Sequence, residues 1–220
     1  MKVFLGVGHG GSDPGAVANN VKEKDLNLSI ALACRDELEK HGVAVKMSRA
    51  KDENDPIGDE VKECNAYGPD FAVDIHNNAG GGDGGEVFYH HGGGKGKTLA
   101  ENILAEIVKT GQNSRGIKTR VNSQGKDYYA FIRNTSCPAV IVECAFVDNA
   151  TDLQILSTED KRKAMGVAIA KGILKTLGVD IQADKGYWKV QVGAYLYREN
   201  AVDMQKKIKA VGFDAFIVKE

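Results

Sequence analysis

Asp25-Leu26-Asn27-Leu28-Ser29-Ile30-Ala31-Leu32-Ala33-Cys34-Arg35-Asp36-Glu37-Leu38-Glu39-Lys40-His41-Gly42-Val43-Ala44-Val45 changes its period partway along, and that change decides the fold class. Over residues 25–40, Leu26, Ile30, Cys34 and Leu38 recur at every fourth position, which places them on one face of a helix. His41-Gly42 closes that helix, because glycine adopts the left-handed conformation that helix C-termini favour. Val43-Ala44-Val45 then resumes with the composition of a strand. Working outward, residues 3–7 form a short β-rich run before this unit. Further β-rich runs and helical patterns alternate after it at 71–75, 86–89, 98–109, 128–132, 139–143 and 160–177. Such alternation predicts an α/β fold, a mostly parallel twisted sheet covered by helices.

The last long helical pattern ends at Leu177, and the short polar stretch 178–186 has the composition of a linker. Beyond it, 187–193 alternates as a strand. Ala201, Met204, Ile208 and Val211 mark an amphipathic helix, and 213–218 reads as a second strand. Residues 187–220 are therefore expected to form a small β-α-β C-terminal module, too small to be stable alone.

A chain of 220 residues with 42% hydrophobic side chains can bury one full core and carry a small appendage. The net charge of -1 supplies no global field toward nucleic acid or an anionic membrane, so neither is expected as a partner. The first apolar run is too short for a signal-peptide core, and no segment has the length of a spanning helix. The expectation is synthesis in the cytoplasm without a signal peptide. Cys34, Cys64, Cys137 and Cys144 show no paired spacing and are expected as reduced thiols.

Only five histidines occur. His9 follows the first strand and His76 ends the run 71–75, the strand ends where α/β proteins gather their sites. Gly10-Gly11 lets the backbone turn after His9. A catalytic zinc needs three protein ligands and one open position. Glu23, just before the first helix on the loop that His9 opens, is the third candidate; it reads equally as an acid placed at a helix N-terminus. Glu143 ends the apolar run Ala139-Val140-Ile141-Val142, where an acid is costly unless it is paired or working. A salt bridge to Arg133 or Arg120 is the alternative reading. No HExxH helix is present, so a metal site must be assembled from distant segments. The stretches 80–85 and 92–96 are rich in glycine, lack the phosphate-loop pattern, and read as mobile rims, with His90 and His91 as surface residues.

Four segments then acquire a joint meaning: His9-Gly10-Gly11-Ser12-Asp13-Pro14-Gly15-Ala16, Glu23-Lys24-Asp25-Leu26-Asn27-Leu28, Asp74-Ile75-His76-Asn77-Asn78-Ala79 and Val142-Glu143-Cys144-Ala145-Phe146. Their order over residues 1–177 resembles the N-acetylmuramoyl-L-alanine amidases of the Amidase_3 type. The resemblance implies that His9, Glu23 and His76 hold Zn2+, that Glu143 is the catalytic carboxylate, that Arg133 assists catalysis, and that Asn78 contacts substrate. It also implies peptidoglycan as substrate, cut at the amide between N-acetylmuramic acid and L-alanine. The family commonly has Asp-Pro before the first histidine, where this chain has Gly6-Val7-Gly8, and Asn where it has Cys144. Cys144 reads as a buried structural thiol rather than a ligand.

Tyr187-Trp188-Lys189-Val190-Gln191-Val192-Gly193-Ala194-Tyr195, with Gly212-Phe213-Asp214-Ala215-Phe216, resembles one repeat of a SPOR domain, half of the usual unit. That resemblance implies wall binding or a homodimer formed by pairing two halves. A different zinc hydrolase of peptidoglycan, such as a carboxypeptidase, and a non-catalytic wall-binding protein are the competing readings. A wall enzyme without an export signal is expected to reach its substrate after lysis or through a pore, as a phage endolysin or a mother-cell lytic enzyme.

Overall fold

The computed structural model describes residues 1–180 and 192–218 of the chain. The chain divides into two units, Met1–Ile181 and Gln182–Glu220. In the first, β1 (Lys2–Val7), a hairpin of β2 (Val17–Ala18) and β3 (Val21–Lys22), α1 (Glu23–Lys40), β4 (Ala44–Met47) and α2 (Ile57–Tyr67) lead to β5 (Phe71–Asn78) and β6 (Gly85–Tyr89). Next come α3 (Lys95–Val108), β7 (Ser114–Lys118), α4 (Ala130–Asn134), β8 (Ala139–Phe146), α5 (Ala150–Leu156) and α6 (Glu159–Leu177).

The six-stranded sheet runs β4-β1-β5-β8-β6-β7. Every neighbouring pair is parallel except β6 with β8. Strand alternation distributes the side chains. Val3, Leu5, Val7, Val73, Ile75, Val140 and Val142 enter the larger core with Ile30, Cys34, Ile103 and Ile169 of α1, α3 and α6. Phe4, Ala72, Ala139 and Ile141 face the other way, onto Cys64 of α2 and Phe131 and Ile132 of α4. Both sheet faces are thus covered, which is why the central strands read as continuous apolar runs.

The helix read over 25–40 begins at Glu23, and Cys34 and Leu38 are fully buried in it. The sequence pattern did not reveal α2, β7 or the β2–β3 hairpin, and the run 128–132 is the entry to α4. All four cysteines are free, and Cys144 lies wholly within the larger core.

In the second unit, α7 (Arg198–Ala210) covers the expected amphipathic helix. The strand expected at 187–193 lies largely outside the described residues. The strand expected at 213–218 is corrected: those residues have no regular structure. A strand requires a ladder partner, and among the described residues none pairs with this segment, leaving Phe213, Phe216 and Val218 exposed. No helix among the described residues is long and apolar enough to cross a membrane.

Candidate functional site

Three segments deliver His9, Glu23 and His76 to one point at the carboxyl ends of β1 and β5. His9 leaves β1 with a φ of 64°, a left-handed backbone that turns its ring across the strand end. Glu23 is the first residue of α1, and His76 lies near the end of β5. His9 Nε2 lies 3.2 Å from Glu23 Oε2, and His76 Nδ1 lies 3.0 Å from Glu23 Oε1. One donor atom from each of the three falls within 4.8 Å of the others. The two rings stand edge to face, with centroids 5.1 Å apart.

Each imidazole is oriented from behind. His9 Nδ1 contacts Asp13 Oδ2 at 2.8 Å, and His76 Nε2 contacts Asp74 Oδ2 at 3.1 Å. A carboxylate behind a histidine fixes its tautomer and leaves the opposite nitrogen for a cation. Glu23 is held as well: the backbone N–H groups of Ala16 and Asn77 donate to its two oxygens at 2.9 and 3.1 Å, and Asn27 Nδ2 donates to Oε1 at 3.3 Å. Burial alone would raise the Glu23 pKa, but the bonds from His76 and His9 outweigh it and hold the carboxyl well below the usual range. His9 is raised chiefly by its bond to Glu23. Burial opposes the charge on His76, yet Asp74 and Glu23 raise its pKa well above the ordinary value.

Arg49, 2% exposed, locks this corner. Its guanidinium donates to the carbonyls of Val7, Gly8, Lys24 and Lys51 at 3.0, 3.2, 2.9 and 3.2 Å, tying the end of β1 to the start of α1.

Glu143 stands opposite His76 in the β5–β8 register and opposite Glu86 in the β6–β8 register. Its Oε2 is buried without a hydrogen-bond partner, and burial pushes its pKa up to about 7. A carboxyl poised there can exchange a proton near neutrality. No ion pair joins it to Arg133 or Arg120 among the described residues. Arg133 Nη1 donates instead to the carbonyls of Asp127 and Tyr128 at 2.7 and 2.9 Å, and Arg120 lies over the Tyr128 ring. Asn78 Nδ2 donates to Glu86 Oε1 at 3.1 Å, and Glu86 is in turn held by Arg115 and Lys118.

The donor set suits a divalent cation. Two imidazoles and a carboxylate converge, each histidine has its other nitrogen occupied, and the surplus of acid favours positive charge. The pocket leaves no slack: a Cβ on Gly15 would lie 2.6 Å from both Glu23 Oε2 and His9 Cδ2. Sequence reading missed the parts played by Asp13, Asp74 and Arg49. The two aspartates sit inside the quoted motifs, four and two residues from the histidines they orient. Arg49 carried no such signal.

The family model of N-acetylmuramoyl-L-alanine amidases matches residues 3–175, and the SPOR domain model matches residues 153–219. The sporulation-specific N-acetylmuramoyl-L-alanine amidase of Bacillus subtilis is 33% identical over 222 aligned residues, spanning 99% of this chain and 84% of that protein. Among solved structures, Cwp6 from Clostridium difficile superposes with a TM-score of 0.79 at 39% identity, covering 80% of this chain and 29% of that one. The catalytic domain of the amidase CwlV from Bacillus (Paenibacillus) polymyxa superposes with a TM-score of 0.73 at 29% identity, covering 81% and 98%.

Proposed function

The chain belongs to the N-acetylmuramoyl-L-alanine amidase family and hydrolyses the amide between N-acetylmuramic acid and L-alanine in peptidoglycan, and we propose that it does so with zinc held by His9, Glu23 and His76 and with Glu143 as general base. One observation carries this reading: His9 Nε2 and His76 Nδ1 both face the Glu23 carboxylate while their other nitrogens are held by Asp13 and Asp74. Zinc, when bound, supplies a Lewis acid that acidifies water and polarises the scissile carbonyl.

The chain's own residues do the rest. Glu143 accepts a proton from the attacking water at Oε2, the buried oxygen without a partner, and delivers it to the departing nitrogen of L-alanine. Its raised pKa suits both transfers, since a weaker acid is a better base and still gives up the proton near neutrality. Asn78 meets the substrate beside Glu86. Arg133 supports the site by fixing the backbone at Asp127 and Tyr128 rather than by pairing with Glu143. The family match leaves the carboxypeptidase and non-catalytic readings without a specific observation in their favour.

We further propose that residues 1–177 are the catalytic domain, 178–186 a linker and 187–220 a SPOR-like module that binds wall or pairs with a second copy. The match of nearly the whole chain to a sporulation-specific enzyme favours a role in the lysis that accompanies spore formation. Sedimentation showing only a monomer at working concentration would remove the pairing.

Zinc content and release of L-alanine amino termini from purified wall, measured for wild type and Glu143→Gln before and after chelation, test the centre. The expected result is one tightly held zinc per chain in both proteins as purified, reversible loss of wild-type activity on chelation, and a loss of about 100-fold or more in the variant. A metal-free active enzyme, or an active Glu143→Gln, refutes the assignment.

A further inference from the structure

A second cluster of metal-ligating side chains lies away from the catalytic end of the sheet. His90 and His91 follow β6, and Asp127 lies on the loop between β7 and α4. His90 Nε2 lies 3.0 Å from Asp127 Oδ2, and His91 Nδ1 lies 2.8 Å from the same oxygen. The three residues each offer a donor atom within 4.8 Å of the others. We propose that His90, His91 and Asp127 form a second divalent-cation site, one that takes Zn2+, Ni2+ or Cu2+ through two imidazoles and a carboxylate.

The site is built from the carboxylate outward. Asp127 is only 3% exposed, although both histidines are open to solvent. Its Oδ1 accepts the backbone N–H of His91 at 2.9 Å, which leaves Oδ2 as the oxygen the two rings share. Its backbone is pinned by the bridge to Val121 and by Arg133 Nη1 on its carbonyl. The imidazoles stack with centroids 4.7 Å apart and an interplanar angle of 24°. Two protonated rings in that arrangement repel one another and share one carboxylate. One dication between neutral rings and the same carboxylate removes the repulsion. Two nitrogens and one oxygen suit late first-row divalent ions and do not suit Mg2+ or Ca2+, which prefer all-oxygen shells.

The cost of loading falls on one exposed contact. His90 Nδ1 accepts the Gly92 N–H at 3.0 Å, so coordination at Nε2 moves the ring proton to Nδ1 and hands that N–H to water. His91 coordinates through Nδ1, the nitrogen that already lies 2.8 Å from Asp127 Oδ2. The second site is therefore the weaker one, and it fills after the catalytic centre.

Its place is distinct as well. β6 runs antiparallel to β8, with Glu86 opposite Glu143 and Tyr89 opposite Val140. His90, four residues beyond Glu86, therefore lies roughly 13 Å from the catalytic row at about 3.3 Å per residue. A cation here clamps the turn after β6 to the loop before α4, the same loop that Arg133 holds from the other side.

The test is a Zn2+ titration of the full chain already loaded with one equivalent at the catalytic centre, followed by calorimetry and thermal melting. Wild type is expected to take a second equivalent and to melt higher once it is filled. His90→Gln and His91→Gln each weaken that second equivalent by at least about tenfold. The double variant loses it while keeping the first equivalent, the wall-cleaving rate and the melting temperature of the singly loaded wild type. Glutamine keeps a donor facing Asp127, so a misfolded protein is not the expected outcome, and near-UV circular dichroism checks this directly. Saturation at one equivalent in wild type overturns the proposal, as does a second equivalent that persists in the double variant.

Discussion

Gly8→Ala should cripple the proposed metal centre without replacing a single ligand. A Cβ built on Gly8 lies 2.1, 2.3 and 2.5 Å from Cε1, Nε2 and Nδ1 of the His76 ring. Unbonded heavy atoms rest at about 3.5–4.0 Å, so ring or backbone must retreat by more than about 1 Å. Neither can do so cheaply. The Gly8 carbonyl accepts from Asn27 Nδ2 and from Arg49 Nη2, and its N–H donates to Ile75 O at 3.1 Å. His76 is held by Glu23 on one side and Asp74 on the other. Gly8 is not among the positive-φ glycines, so alanine brings no backbone strain that would confuse the result. Ligand positions tolerate only about 0.2 Å. A displacement of about 1 Å therefore predicts zinc affinity lower by about 10- to 100-fold, and cleavage slower by about 100-fold at saturating metal. Competition with a chromophoric chelator measures the affinity, and release of L-alanine amino termini measures the rate. Gly58→Ala, on exposed α2 with nothing within 4 Å of the new Cβ, is the control and should gain about 0.5–1 kcal/mol. A folded Gly8→Ala protein with wild-type zinc affinity and rate would show that His76 does not occupy the position described.

Asp74→Asn should weaken zinc by about 10- to 100-fold, and Asp13→Asn by less, because Asp13 is largely solvated and its bond to His9 competes with water; equal losses in chelator competition would contradict that order. Arg49→Met removes the guanidinium's bonds to the carbonyls of Val7, Gly8, Lys24 and Lys51, of which Gly8 keeps Asn27 Nδ2 as a donor, and should cost about 3 kcal/mol or more in a urea titration. An unchanged urea midpoint would mean that water replaces the guanidinium. In the core, a Cβ on Gly166 of α6 would lie 2.3 Å from the Ile30 carbonyl oxygen of α1, so Gly166→Ala should destabilise by about 1–3 kcal/mol with wall cleavage intact below the melting transition. A melting temperature equal to wild type would show that the two helices can separate freely.

What the sequence made legible follows from where each signal is carried. The helix over 25–40 and the strands at 3–7, 71–75 and 139–143 announced themselves because they are buried on a side or on both faces, so period and composition agree. The helix α2 did not, since only Glu60 and Cys64 of its residues are buried, and its exposed face dilutes the helical period. β7 is an edge strand paired only with β6, short and polar, with little burial to pattern it. The strand expected at 213–218 fails for the opposite reason. Its residues alternate well, but alternation supplies no partner for the ladder, and among the described residues none pairs with them. His9, Glu23, His76 and Glu143 were legible because each is a polar side chain at the end of an apolar run or at a helix start. The supporting residues were less so: Arg49 lies in a loop that looks like any charged surface stretch, and its burial is a tertiary fact. The second histidine pair shows the same limit. His90 and His91 are indeed on the surface, yet the carboxylate they share is far along the chain and buried.

Crowding by neighbouring side chains explains why positions 6 and 8 hold glycine: carboxyls at Gly6 and the His76 ring at Gly8. Glu60 Oε1 and Asp74 Oδ1 both press on the space above Gly6, at 2.0 and 2.7 Å from where a Cβ would be, and both are buried without a hydrogen-bond partner. Burial chiefly, and then the charges of Asp74 and Asp55, push the Glu60 carboxyl well above its ordinary value. The shift favours the neutral form of Glu60, which lessens its repulsion with Asp74, the carboxyl that contacts His76 Nε2 at 3.1 Å. The glycine is what lets the two carboxyls share that space, and any side chain at position 6 would force one of them out. A fold optimised only for stability would fill this volume with apolar atoms. Here the sheet end gives up packing at Gly6 and Gly8, where Glu60, Asp74 and the His76 imidazole occupy the space a side chain would take. That arrangement fixes the ligand by crowding as much as by hydrogen bonding.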